Sequence, residues 1–320
     1  METVERRFTP LTLAAIFVAV SATTALNYAL LPGQSMLDSR RVIQRRIVEH
    51  TAVPPDRYRL FVPAITEAPI AMLSRRMPRE QAFDATFAVF YVLAMATLLW
   101  SLFIYLRHWF SDEQALVGVL FVSCTLALTT RQHEYAPYSF LEPTFLTLAL
   151  LCMLREKRVL LGAVVAVATL NRETGVFIVL LYVATHPLTK RHLATAAVYG
   201  AIWAVVFLAV RFFAGFAWPH WTLERIFWAN LSQPMLSVFN IAALLGVFWW
   251  FAVAGFSRAP PFVRRTALVV PPYLAVVAVW GIWWEVRLLL PMLPILVPMA
   301  LSALFHPKMD SRSTPLLSLA

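Results

Sequence analysis

The sequence predicts an all-α fold, a polytopic bundle of about 8–10 transmembrane helices with amphipathic helices in the first outer loop. Three observations predict it. Of the 320 residues, 60% are hydrophobic and 14% charged, against roughly 45–50% and about 25% in soluble domains. Apolar runs recur along the whole chain, with no internal repeat. Lys and Arg, whose excess over Asp and Glu gives a formal net charge of +10, fall in short clusters between those runs rather than along one polar face, which favours topology and anionic lipid over nucleic acid.

The first apolar run, 11–31, is of spanning length, and no small-x-small cleavage site clearly follows it, so it is expected to remain as an anchor. Further runs follow near 83–106, 114–130, 139–154, 159–170, 174–185, 193–214, 238–256, 266–282 and 288–304. Several are shorter than a full span and must tilt, pair, or carry polar residues facing protein. Cys124 and Cys152 both sit in such runs and are expected to be buried thiols. The chain reads as one membrane domain, 1–320, whose site is expected in the outer loop 32–82.

The stretch 159–185 is interrupted by Asn171-Arg172-Glu173-Thr174-Gly175 and could form one helix or a hairpin. Basic residues decide. With a hairpin and a cytoplasmic N-terminus, Arg6, Arg7, Arg107, Arg155, Lys157, Arg158, Lys190, Arg191, Arg258, Arg264, Arg265, Lys308 and Arg312 all lie inside, 13 of the 27 Lys and Arg. That agrees with the positive-inside tendency. Both termini are then cytoplasmic. A single helix would put the 190–191 and 258–265 clusters outside.

The loop 32–82 runs against this pattern with nine arginines: Arg40, Arg41, Arg45, Arg46, Arg57, Arg59, Arg75, Arg76 and Arg79. Its length, about 50 residues, approaches the limit at which charge stops controlling translocation. An anion site would also account for it. Ser35 to His50 has helical spacing of Leu37, Val42, Ile43 and Ile47 with arginine on the other face, as expected for a helix lying on the membrane surface. Pro54-Pro55 ends it. A second short amphipathic helix is expected at about 60–76, closed by Met77-Pro78.

With this topology the unusual polar residues collect on the outer side: Asp38, Asp56-Arg57-Tyr58-Arg59, Glu67, the 131–134 turn Arg-Gln-His-Glu, Glu142, Arg172-Glu173, Glu224-Arg225, and Glu285 with Arg287. Charged groups near hydrocarbon cost a few kcal/mol unless paired or wet, so such a set points to an outward polar cavity. Arg172/Glu173 and Glu285/Arg287 could equally be salt bridges between sequence neighbours. Trp218, Trp221 and Trp228 read as an aromatic belt on which a sugar ring could also stack. No P-loop, dinucleotide, zinc-protease, nucleophile-elbow or CxxC motif occurs, so those chemistries have no support. His108, His186, His192 and His306 fall at cytoplasmic ends, where helix-end roles outweigh metal binding.

A short first span, a long outer loop with the early acid Asp38, Arg-Tyr-Arg-Leu-Phe-Val-Pro at 57–63, Leu-Asn-Arg-Glu-Thr at 170–174 and Trp-Glu-Val-Arg-Leu-Leu-Leu-Pro at 284–291 together resemble the glycosyltransferase C superfamily. These are membrane enzymes that use polyprenyl-phosphate-linked sugars. The resemblance covers most of the chain in layout. It implies an outer-face site in a bacterial inner membrane with Asp38 as catalytic base, and Glu285 or Glu173 as a supporting carboxylate; read from the residues alone, Asp38 could equally cap the amphipathic helix that it precedes. Arg57, Tyr58, Arg59, Arg172, Arg287 and Glu142 would bind substrate. It implies inverting displacement at the anomeric carbon, with arginine forks on the departing phosphate. The chain lacks a DxD pair and a large outer soluble domain. No cofactor is implied with certainty, and Mg or Mn would need Glu67, Glu142 or another residue to complete a site around Asp38. Expected partners are the lipid-linked donor, membrane lipids and a membrane protein, and no nucleic acid. The competing readings are a transporter or flippase of a lipid-linked or anionic substrate, and a non-catalytic subunit.

Overall fold

The computed structural model describes residues 9–30, 34–126, 129, 136–217, 222–246 and 248–308. The protein is an all-α helical bundle, with no strand among the described residues. Helix α1 (Pro10–Leu30) precedes two helices of the first loop, α2 (Gln34–Val48) and α3 (Phe61–Leu73). Then come α4 (Arg79–Leu106), α5 (Asp112–Leu126), α6 (Ala136–Leu154), α7 (Arg158–Asn171), α8 (Val176–Thr185) and α9 (Lys190–Ala214). The chain ends through α10 (Leu223–Ser232), α11 (Pro234–Leu245), α12 (Phe248–Gly255), α13 (Pro261–Thr266), α14 (Val270–Trp280) and α15 (Leu293–Leu304).

Four described helical stretches are long and apolar enough to cross a bilayer: Arg79–Leu106, Lys190–Ala214, Pro261–Trp280 and Val286–Leu304. A fifth forms if α11 and α12, bent by 62° at their junction, are one broken span. Each apolar run expected from the sequence is helical over its described residues except at Gly246, inside the run 238–256, and at 281–282, the end of the run 266–282. The central element is the stretch Val286–Leu304, with 89% of its apolar window buried. Pro294 falls in the first turn of α15, where proline costs no helical hydrogen bond, and Pro298 is kept inside the helix because its neighbours are protein; the Ser302 hydroxyl donates to the Pro298 carbonyl at 2.8 Å. Helix α4 supplies much of the remaining core through Met95, Leu98, Leu99, Phe103 and Leu106.

The hairpin expected at 159–185 forms. Helix α7 stops where Arg172 takes an extended backbone (φ −158°, ψ 147°), and a 3-10 turn, Glu173–Gly175, reverses the chain into α8. The reversal is tight, since a Cβ on Gly175 would sit 3.0 Å from the Thr169 amide nitrogen. Both open ends of the hairpin return to the same place. The Tyr199 hydroxyl donates to the Arg158 carbonyl at 3.1 Å, and Thr185 at the end of α8 donates to the Met153 sulfur at 3.7 Å.

This pairing gives the bundle two chemically different ends. At one, Arg265 donates to the Thr185 carbonyl, Arg258 to the Ala303 carbonyl and the Lys308 amide to the Trp109 carbonyl. That end gathers the basic clusters 107, 155–158, 190–191 and 258–265. The other end gathers 56–59, 138–142, 171–175, 215–217 and 281–287. The two thiols differ from expectation: Cys152 is buried but Cys124 is exposed, because it lies on the outward face of α5, opposite the Val119, Val122 and Leu126 face that packs inward.

Candidate functional site

At the polar end a buried network of three ion pairs joins four segments far apart in sequence. From α6, the Glu142 carboxylate accepts from Arg172 Nη1 at 2.6 Å and from the Thr174 hydroxyl. One turn earlier, the Tyr138 carbonyl accepts from Asn171 Nδ2 at 2.9 Å, and Ser139 Oγ accepts from Arg287 Nη1 at 3.4 Å. Arg287 also pairs with Glu285. Arg59 pairs with Asp56 at 2.6 Å and lies over the Tyr138 ring. Arg59, Arg172, Arg287 and Glu142 are all buried, and Arg287 interacts electrostatically with Arg172, Arg59 and Asp56. Of the two neighbour pairs weighed from the sequence, Glu285/Arg287 forms, whereas Arg172 turns away from Glu173 to Glu142. The extended backbone at Arg172 is the reason, because it points consecutive side chains in opposite directions.

Such a network satisfies its charges internally. Removing one member would strand the other in a low dielectric, so it behaves as a clamp that ties α6, the hairpin tip, the 286–292 turn and the first loop together.

Beside the clamp lies a second set with unspent charge. Along α9, Trp203, Phe207, Arg211 and, just past its end, Gly215 recur every fourth residue and form one face. Trp203 Nε1 donates to the Glu173 carbonyl at 3.0 Å. Arg211 lies over the rings of Phe207 (3.4 Å) and Tyr58 (4.4 Å) and interacts electrostatically with Glu173. The Tyr58 ring is buried against Val210 and Ala214, and the Ala217 amide donates to its oxygen at 3.0 Å. Arg57 reaches Gly215 closely enough that a Cβ there would lie 3.0 Å from its Nη2. Neither Arg57 nor Arg211 has a carboxylate within ion-pair distance among the described residues, and the Glu173 carboxylate has no hydrogen-bond partner there. Trp203 stands roughly 16 Å along α9 from Ala214 at its polar end, so the Glu173 carbonyl that it binds lies below the level of Arg57 and Gly215.

Asp38 belongs to neither set. It is exposed on α2 and accepts from Arg41 at 2.8 Å. Because α2 begins at Gln34, Asp38 is one turn inside the helix rather than its cap. Arg41 also pairs with Asp84, and Arg40, buried over Phe83, Phe87 and Tyr91, docks α2 onto α4. Glu67 pairs with Arg79 at 2.9 Å and accepts from Gln44 at 3.1 Å. Neither it nor Glu142 is brought to Asp38 by these contacts, and among the described residues no three His, Cys, Asp or Glu side chains come together as metal ligands. The nine loop arginines thus divide: Arg40, Arg41, Arg59 and Arg79 have acids, Arg45, Arg46, Arg75 and Arg76 are exposed, and Arg57 turns toward α9.

The 131–134 turn, Trp218 and Trp221 lie outside the described residues. Trp228 is exposed on α10, whose buried Asn230 bonds the Gly281 carbonyl and the Trp283 amide. The residue that sequence reasoning left out of the site is Arg211. Its signal was the four-residue spacing from Trp203 through Phe207, a helical face carrying aromatic rings and one cation inside an apolar run. No family model, curated protein or solved structure matches the chain.

Proposed function

We propose that the chain is a membrane glycosyltransferase that takes a sugar from a polyprenyl-phosphate-linked donor, working at the membrane face opposite its basic end, the outer face of a bacterial inner membrane. The observation that carries this reading is two arginines without acid partners among the described residues, Arg57 beside Gly215 and Arg211 over Tyr58, with Arg211 in electrostatic reach of the unpartnered Glu173 carboxylate. Planar guanidinium forks at membrane depth suit a lipid phosphate, and a carboxylate near them suits proton removal. Glu173 takes the proton of the acceptor hydroxyl, the new C–O bond forms at the anomeric carbon, and the old bond to phosphate breaks with its electron pair leaving on the phosphate. Arg57 and Arg211 balance that charge.

In this reading Arg59, Arg172, Arg287, Glu142 and Glu285 hold the geometry through the clamp, and Asp38 positions α2 through Arg41. The test is transfer from a panel of radiolabelled polyprenyl-phosphate sugars by the reconstituted protein. Glu173→Gln is expected to lose roughly a hundredfold in turnover, and Asp38→Asn little. Full turnover by a folded Glu173→Gln protein would sink the base assignment.

The 62° break between α11 and α12 favours a second reading, transport of a lipid-linked or anionic substrate, since broken helices often carry transport sites. Flux of labelled donor across sealed vesicles with no transferred sugar would select it.

A further inference from the structure

We propose that the groove between α7 and α9 at the basic end is a binding site for one anionic phospholipid of the adjacent leaflet. The groove holds about 610 Å³ and is lined by Arg158, Gly162, Arg191, Val198, Tyr199 and Ile202, among others. It extends from Arg191 to Ile202, roughly 16 Å along α9. Its floor exists because residue 162 is glycine: a Cβ there would lie 3.3 Å from the Ile202 side chain and 3.7 Å from the Tyr199 ring. Tyr199 closes the floor against α7 through its bond to the Arg158 carbonyl. Exposed Val159 and Val198 continue the apolar walls.

Charge complementarity names the occupant. Arg158 and Arg191 stand at the mouth, one from each helix, and neither has a carboxylate partner among the described residues. Arg155, Lys157 and Lys190 surround them, and Glu156 is the one acid in the 155–158 and 190–191 clusters. A phosphodiester at the mouth would take its charge partners from Arg158 and Arg191 while an acyl chain lies on Gly162, Val198 and Ile202, and a basic pocket between membrane helices is where anionic headgroups are held. A zwitterionic headgroup would bring its own cation to the same place and gain less. The inference rests on this groove alone and does not depend on the glycosyltransferase reading.

Native mass spectrometry of the full chain, titrated with phosphatidylglycerol or phosphatidylcholine in detergent, tests it. The wild type is expected to retain one phosphatidylglycerol at least tenfold more tightly than phosphatidylcholine. Arg158→Gln with Arg191→Gln, both exposed and therefore neutral to folding, should erase that preference, and Gly162→Leu should weaken retention of phosphatidylglycerol by filling the floor. Equal retention of the two lipids by the wild type, or an unchanged preference in the double variant, would overturn the proposal. Displacement of the lipid by millimolar inorganic phosphate would overturn it too, by assigning the arginines to a free anion.

Discussion

Arg172 illustrates how a single side chain decides the site. Its partner, Glu142, is thirty positions earlier, and no sequence rule links them. Breaking a buried pair costs about 3–5 kcal/mol because the surviving charge is stranded, so Glu142→Ala should lower unfolding stability by that order, measured by denaturant titration in mixed micelles. Arg172→Ala should do the same, while the double variant with both changed should lose less than the sum. His186 gives a pH signature at the other end. Burial holds its imidazole below the ordinary range, against its bond to the Tyr182 carbonyl, with His192, Glu156 and Arg158 as the charged groups facing it. The folded protein therefore keeps His186 neutral at pH values where the unfolded chain already protonates it. Its contribution is complete above the ordinary value of about 6.5 and is lost as pH falls toward the lowered folded value. The melting temperature should drop between pH 7.5 and pH 5.5, and His186→Phe, which keeps the stacking on Tyr182, should show a smaller drop. An identical drop in the variant would remove His186 as the cause.

The helices were legible because their signals are local. Apolar runs gave the helices, although only four or five of the described stretches are long and apolar enough to span; Leu37, Val42, Ile43 and Ile47 gave α2, and the interruption at 171–175 together with the basic clusters gave the hairpin of α7 and α8. The bend between α11 and α12 was not legible, since its run from 238 to 256 is apolar but for Asn240 and Gly246, which the structure holds at φ 48°, does not by itself announce a break. Site pairing was not legible either, because Arg59, Arg172 and Arg287 look alike in sequence to Arg57 and Arg211, and only the fold distinguishes cations with acids from cations without them. The hairpin tip carries its own test. With a Cβ at Gly175 pressing on the Thr169 backbone, Gly175→Val should cost about 1–3 kcal/mol and loosen the Glu173 carbonyl from Trp203, readable as a red shift in fluorescence if Trp203 is the reporter in a background with other exposed tryptophans replaced. No change in either would contradict the tight reversal.

For the whole molecule, the two ends define the account: a basic end that holds the clusters 155–158, 190–191 and 258–265, and a polar end that holds the clamp and the Arg57, Arg211, Glu173 set. A Cys at Thr189 should resist an impermeant thiol reagent added outside sealed cells, and a Cys at Glu224 should react; the reverse pattern would invert every side assignment. The central claim is that the acid-free arginines at the polar end hold a lipid-linked phosphate. Its most direct test is the affinity of the nanodisc-embedded protein for polyprenyl phosphate. Arg57→Gln with Arg211→Gln is expected to lose at least tenfold in affinity at unchanged thermal stability, with only partial recovery by the two lysine replacements. Wild-type affinity in the folded double glutamine variant would contradict it.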